Sequence, residues 1–115
     1  MTDARPIYLI TPPAIADIKA FAEGLNAALS NPAVSALQLR LKDVGDDELL
    51  RAAEALLPIA RASDVHFLIN DRPDLALRAG ADGAHVGQSD ASYAEARKIL
   101  GPDRTVGVTC HASYH

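Results

Sequence analysis

The sequence contains a single cysteine, Cys110, and no tryptophan, and only 4% of its residues are aromatic. One cysteine excludes an internal disulfide framework of the kind that small secreted domains depend on. Because aromatic side chains are scarce and 49% of the residues are hydrophobic, the core must be built mainly from Ala, Leu, Ile and Val. A core of that composition suits helices packed against a parallel sheet.

The sequence also lacks long apolar stretches and clusters of one charge. No stretch approaches the roughly 18 consecutive apolar residues of a transmembrane helix, and the N-terminus has no basic segment followed by an apolar one. The formal net charge is −4, with no basic run that could follow a nucleic-acid backbone. We therefore expect residues 1–115 to form one small cytoplasmic domain that binds small molecules, not membranes or nucleic acids.

Apolar residues alternate between strand and helix spacing along the chain. Short apolar runs that stop at Pro, Gly, Asn or Asp predict strands at 7–10, 36–42, 66–69, 83–86 and 105–109. Four segments between them have helical spacing, and their ends are marked by Pro32, Gly45, Gly80, Ser92 and Gly101. The predicted order is strand then helix four times, followed by a fifth strand.

Strict alternation with short connections indicates a parallel sheet with right-handed crossovers, either a doubly wound open sheet or part of a (βα) barrel. The second strand helps to decide, because its leucines alternate with Gln38, Arg40 and Lys42. Helices cover both faces of an open parallel sheet, so a polar face is unusual there. We predict a barrel of TIM type whose interior receives these three side chains, with Lys42 nearest the C-terminal mouth. A half-exposed edge strand is the alternative.

Polar residues follow every predicted strand. They are Thr11, Lys42-Asp43, Asn70-Asp71-Arg72, Gln88-Ser89-Asp90 and Thr109-Cys110-His111. The carboxyl ends of parallel strands lie on one side of a sheet, so these loops should converge on one site. The alternative is that polar residues simply follow strands in most proteins and cap the next helix. Five such loops together favour a site.

The charges narrow the chemistry of that site. Arg40 and Lys42 would be costly to enclose without an anion, which predicts a bound phosphate or carboxylate. Asp71 and Asp90 offer hard oxygen ligands that match Mg²⁺, and a diphosphate with Mg²⁺ would satisfy all four residues.

Other kinds of chemistry find little support in the sequence. No Ser-His-Asp order, cysteine pair or glycine-rich phosphate motif is present. We expect His66 and His85 to be structural core histidines, and we rank a structural role for His111 above one as a general acid or base.

Five segments resemble the thiamine phosphate synthase (thiamine-phosphate pyrophosphorylase) family. They are residues 8–11, 38–42, 70–76, 80–90 and 107–111. The resemblance implies a TIM-type barrel. It also implies a transferase activity that joins 4-amino-2-methyl-5-hydroxymethylpyrimidine diphosphate to a thiazole phosphate. Its products would be thiamine phosphate and pyrophosphate, and the reaction would use Mg²⁺.

The resemblance also implies residue roles. The implied substrate-binding residues are Gln38, Arg40, Lys42, Asn70 and Thr109, and the implied Mg²⁺ ligands are Asp71 and Asp90. It implies no side-chain nucleophile or base, because the mechanism is dissociative. Leu41 replaces a glutamate that is usual in the family, and Cys110 replaces a common threonine.

A barrel of this family takes roughly 200 residues, so a chain of 115 should hold the N-terminal portion, with five strands and four helices. We expect its open sheet edges to favour self-association. Two other functions stay open. One is a thiazole tautomerase-like paralogue, which would have no reason to keep two Mg²⁺ ligands, and the other is a non-catalytic chain that acts through a partner chain.

Overall fold

The computed structural model describes residues 7–87 and 90–108, and in them strands and helices alternate without exception. The strands are β1 (Ile7–Ile10), β2 (Val34–Leu39), β3 (His66–Asn70), β4 (Gly83–Val86) and β5 (Thr105–Val108). The helices are α1 (Ile18–Leu29), α2 (Asp46–Ala62), α3 (Pro73–Ala79) and α4 (Asp90–Leu100). The predicted order of elements is confirmed.

The sheet has the sequential order β1-β2-β3-β4-β5, and every neighbouring pair of strands is parallel. A doubly wound sheet reverses its strand order at a switch point, which this order does not do. Sequential parallel strands with a helix between each pair are instead the arrangement of a (βα) barrel. The predicted TIM-type architecture is therefore confirmed for its first five strands and four helices.

One face of the sheet, the outer face, packs against the helices. The largest fully buried side chains are Phe67, Leu37, Leu39, Leu56, Ile69 and Leu75, drawn from this face and from α2 and α3. Leu37 and Leu39 therefore pack outward on the helices, as the alternation in β2 predicts. No helix in the described part of the chain is both long and apolar enough to cross a bilayer.

The opposite face, the concave face, mixes polar and apolar side chains. The register places Gln38 beside Leu68, and His85 between Asn70 and Gly107. Gln38 and Leu68 are buried, whereas Tyr8 and Ile10 on β1 are 42% and 51% exposed. The barrel interior is thus open at the β1 side of the described sheet.

The predicted end of β2 at Lys42 is wrong, because the strand ends at Leu39. β1 ends at Ile10, so the residues after Leu39 have no neighbouring strand on that side. Loop atoms take its place: the Arg40 amide donates to Thr11 Oγ1 at 2.9 Å, and the Lys42 amide donates to the Pro13 carbonyl at 2.9 Å.

The helix ends agree with the sequence except at α4. Pro73 occupies the first turn of α3, and Gly80 ends that helix at φ 76°, a left-handed conformation that glycine adopts without strain. α4 already includes Asp90, so the predicted cap at Ser92 is wrong. The spacing of Ser92 and Glu95 is one that residues inside a helix also have.

Candidate functional site

A pocket of about 290 Å³ lies at the carboxyl ends of β2 and β3. Its lining residues are Arg40, Leu41, Lys42, Val44, Leu49, Asn70, Asp71 and Arg72. Four of the predicted site residues, Arg40, Lys42, Asn70 and Asp71, are therefore brought together. Two of them follow β2 and two lie at the end of β3, about 30 residues later in sequence, and they meet because β2 and β3 are parallel neighbours.

Arg40 and Lys42 supply the positive charge of the pocket, from the loop between β2 and α2. Both side chains are exposed, and within residues 7–87 and 90–108 neither forms an ion pair or a side-chain hydrogen bond. Their backbone amides are held by Thr11 and Pro13 of the β1–α1 loop, which fixes the backbone of both cations. The prediction that they share a strand face is corrected, because both lie beyond the end of β2.

Gln38 does not line the pocket but lies one row deeper on the concave face, 3% exposed. Its Nε2 donates a hydrogen bond to the Tyr8 hydroxyl at 3.2 Å. Because a side-chain amide has two N–H donors and a carbonyl acceptor, this single bond leaves Gln38 further hydrogen-bonding capacity. Gln38 can therefore form part of the floor beneath a ligand held by the loops.

Asn70 ends β3, and Asp71 turns the chain toward α3. The Asn70 Nδ2 donates to Asp71 Oδ2 at 3.2 Å, and the Asp71 amide donates to the His85 carbonyl at 2.7 Å. Asp71 has φ 62°, in the left-handed region, which aspartate and asparagine tolerate better than most residues. This turn leaves the Asp71 carboxylate exposed at the pocket.

Arg72 also lines the pocket, although the sequence patterns do not single it out as a binding residue. Its guanidinium contacts Asp46 Oδ1 at 2.7 Å and Asp74 Oδ2 at 3.0 Å. Hydrogen bonds from Arg72 lower the pKa of both carboxyl groups, and the two carboxylates raise the pKa of Arg72. No local motif could have revealed the partner on α2, because Asp46 is 26 residues away.

His85 is a second residue of this region that the sequence patterns assign to structure alone. It is half-buried on the concave face beside Asn70, and its ring meets that of Tyr8 edge-on at 6.4 Å. Burial lowers its pKa from the ordinary 6.5, while the charge of Asp71 raises the pKa and that of Arg40 lowers it. Its ring therefore lies close to the charges of the pocket.

His66 contradicts its predicted place in the core, because its side chain is exposed. It is the first residue of β3, at the amino end of the sheet. The sequence does not indicate whether a single polar residue at the start of a strand is buried or exposed.

The described residues fit a Mg²⁺ site in which the bound substrate supplies some of the oxygen ligands. No group of three or more His, Cys, Asp or Glu side chains lies together in the described ranges, so they form no all-protein cage. Mg²⁺ commonly binds through one or two carboxylates, phosphate oxygens and water, and the exposed Asp71 beside two cations suits that mode. Asp90 begins α4, but its side chain lies outside what the structure describes, as does the whole of Thr109.

Comparisons with known proteins agree in pointing to one family. The family model described as thiamine monophosphate synthase matches residues 7–115. A thiamine-phosphate synthase of Rhodospirillum centenum is 58% identical over 115 residues, which are 100% of this chain and 55% of that protein. One of Hyphomonas neptunium is 42% identical over 127 aligned residues, covering 100% of this chain and 57% of that protein.

The fold agrees with a solved structure as well. A thiamine phosphate pyrophosphorylase from Pyrococcus furiosus superposes with a TM-score of 0.75 at 28% identity. The superposition covers 92% of this chain and 50% of that one. The chain thus spans about half the length of the relatives that it matches.

Proposed function

Since the chain belongs to the thiamine monophosphate synthase family, we propose that it forms the pyrimidine diphosphate half of a thiamine phosphate synthase site. The enzyme is a transferase that joins the hydroxymethylpyrimidine diphosphate to a thiazole phosphate. One observation carries the proposal: two cations without partners in the described residues share a pocket with an exposed carboxylate. Such a set of charges suits a diphosphate that brings a cation with it.

In the proposed reaction the carbon–oxygen bond of the substrate breaks first, and its electron pair leaves with pyrophosphate. The thiazole nitrogen then donates its lone pair to the methylene carbon to form the new carbon–nitrogen bond. Arg40 and Lys42 bind the diphosphate oxygens and stabilise the charge that develops on them. No side chain has to act as a nucleophile.

The remaining predicted residues orient the pyrimidine ring. Gln38 and Asn70 offer side-chain amides, which can both donate to and accept from ring nitrogens and the amino group. Thr109 would add a polar contact to the substrate. Asp71 and Asp90 would hold Mg²⁺, and that ion supplies positive charge that stabilises the leaving pyrophosphate.

We also propose that the chain acts in the cytoplasm, where phosphorylated biosynthetic intermediates are used. For the chain by itself we also propose self-association. β1 is an edge of the described sheet, and beside it an apolar groove of about 450 Å³ is lined by residues such as Leu9, Phe21 and Leu25. An unpaired strand next to an apolar groove favours a second copy.

Calorimetric titration of the 115-residue chain with the pyrimidine diphosphate and Mg²⁺ tests the proposal. We expect binding that Lys42→Ala weakens by about 2–5 kcal/mol and that Lys19→Ala, on the exposed surface of α1, leaves unchanged. Sedimentation of the same chain tests self-association, and a thiamine phosphate assay measures whether that chain is active by itself. A stable monomer would contradict self-association.

The two alternatives give different results in these experiments. A tautomerase-like paralogue would bind the thiazole phosphate and ignore the pyrimidine diphosphate. A non-catalytic chain would bind neither substrate and would acquire a partner instead. The combination of Arg40 and Lys42 with the Asp71 carboxylate favours the synthase. The two cations can neutralise a diphosphate and the carboxylate can hold its Mg²⁺, whereas a tautomerase has no diphosphate to bind.

A further inference from the structure

Arg72 connects two elements that are distant in sequence. Its Nη1 donates to Asp46 Oδ1 at 2.7 Å and its Nη2 to Asp46 Oδ2 at 3.2 Å, a two-point contact with the first residue of α2. Its Nε and Nη2 also donate to the Asp74 carboxylate at 3.2 Å and 3.0 Å. A guanidinium fixed by two carboxylates has a defined position and orientation.

The contact lies between the two loops that form the pocket. Asp46 directly follows the β2–α2 loop, which carries Arg40 and Lys42. Arg72 directly follows Asp71 in the β3–α3 loop. The sheet already connects the two loops from beneath. The Asp46–Arg72 contact adds a side-chain bridge between the loop that carries Arg40 and Lys42 and the loop that carries Asp71.

Local capping of α3 does not explain this bridge. Asp74 lies in the first turn of α3 and could partner Arg72 by itself, whereas Asp46 belongs to another helix. The bridge has a second effect, because Asp71 adopts φ 62°, a sparsely populated conformation that benefits from support by its surroundings even in aspartate. Arg72 directly follows Asp71, so its contact with Asp46 holds the chain on one side of that turn.

We propose that Asp46 and Arg72 form a positioning pair that sets the separation between the Arg40–Lys42 loop and Asp71 in the diphosphate pocket. Arg72 is not itself a diphosphate ligand, because four of its five N–H donors are engaged by Asp46 and Asp74. The pocket thus divides its three cations into two that bind the anion and one that positions the loops. This inference rests on the proposed function.

Asp46→Asn and Asp47→Asn provide a matched comparison. Both remove one negative charge from an exposed residue in the first turn of α2, but only Asp46 contacts Arg72. The probe is inorganic pyrophosphate with Mg²⁺, titrated calorimetrically into the 115-residue chain. We expect Asp46→Asn to weaken binding by about tenfold, as is typical for residues that orient ligand-binding groups, and Asp47→Asn to leave it unchanged or slightly tighter.

The direction of the change separates positioning from direct binding. If Arg72 bound the diphosphate, Asp46→Asn would free its guanidinium and strengthen binding, and Arg72→Lys would keep most of the affinity. The positioning pair instead predicts weaker binding in both variants, because lysine cannot make the two-point contact. Stronger or unchanged binding in Asp46→Asn overturns the proposal.

Hydrogen exchange at the Asp71 amide gives a readout that needs no ligand. This amide donates to the His85 carbonyl, and we expect it to exchange faster in Asp46→Asn than in Asp47→Asn. Equal exchange in the two variants overturns the positioning pair. If the unaltered chain does not bind pyrophosphate, the proposed function fails at this pocket, and the exchange experiment still decides whether the pair holds the loop.

Discussion

The two ends of the sheet carry charged pockets of nearly equal volume, about 290 Å³ at the carboxyl end and about 270 Å³ at the amino end. At the amino end, Asp82 Oδ2 accepts a hydrogen bond from the buried Phe67 amide at 2.8 Å. Arg61 Nη2 in the same pocket donates to the Gly80 carbonyl at 2.6 Å. Both charged groups thus form hydrogen bonds with the backbone.

The carboxyl end uses its charges differently. In the described ranges, Arg40 and Lys42 make no such side-chain bonds, while their own backbone is held by Thr11 and Pro13. Buried backbone groups need partners, so a charged side chain that serves them is explained by folding. Charged side chains that form no hydrogen bonds with the backbone, but whose own backbone is held in place, are available to bind a ligand. Volume and charge alone would not have separated the two pockets.

The largest effect that would test this comparison is expected from removing the cations of the carboxyl end. Arg40→Ala or Lys42→Ala should weaken binding of the pyrimidine diphosphate by about 2–5 kcal/mol if the charges are desolvated on binding. Folding should not suffer, because neither side chain has a partner within the described residues. Calorimetry measures the affinity and urea unfolding the stability. Equal affinity in these variants and in the unaltered chain would remove both cations from the site.

The reverse behaviour is expected at the amino end. Asp82→Ala leaves the buried Phe67 amide without its acceptor, which should lower the free energy of unfolding by about 1–3 kcal/mol. Pyrophosphate binding should be unchanged after correction for the folded fraction. Asp82→Asn retains an acceptor oxygen and should recover most of the stability, and Asp103→Ala on an exposed turn serves as a surface control. If Asp82→Ala impaired pyrophosphate binding directly, the charged side chains of the amino end would also serve ligand binding, and the proposed difference between the two ends would be wrong.

Asp71→Asn tests the carboxylate of the carboxyl end. It removes a charge but keeps the shape and the tolerance of a left-handed backbone, so the fold should persist. We expect the Mg²⁺-dependent part of pyrophosphate binding to fall by more than about tenfold. In the complete synthase we expect the same loss in activity from Asp71→Asn or Asp90→Asn. Titrations at several Mg²⁺ concentrations measure the dependence, and an unchanged dependence would overturn the metal assignment.

The sequence patterns could predict the outer face of the sheet, because leucines at a period of two bury themselves on one side wherever β2 lies. They could also predict that Arg40, Lys42, Asn70 and Asp71 converge, since parallel strands align their carboxyl ends. The end of β2 could not be predicted, because it depends on where β1 stops. The bridge from Asp46 to Arg72 and the depth of His66 depend in the same way on distant neighbours.

The smallest expected effect compares a histidine near each pocket by pH. Burial lowers the pKa of His85 below 6.5; the charge of Arg40 lowers it further, and the charge of Asp71 raises it by less than burial lowers it. His66, by contrast, is exposed. As pH falls through about 6.5, the unfolded chain binds a proton at position 85 that the folded chain does not, so stability falls. The loss continues until the pH reaches the lower pKa of the folded state.

Urea unfolding of the unaltered chain, His85→Asn and His66→Asn between about pH 7.5 and pH 5 measures the effect. His85→Asn should lose stability less steeply with falling pH, because the group that titrates only after unfolding is absent. His66→Asn is the matched control, because His66 is exposed and lies at the opposite end of the sheet. The other histidines are common to all three proteins and cancel in the comparison. Parallel curves for His85→Asn and the unaltered chain would mean that water reaches this ring freely, and the concave face beside Asn70 would then be no more enclosed than the amino end of the sheet.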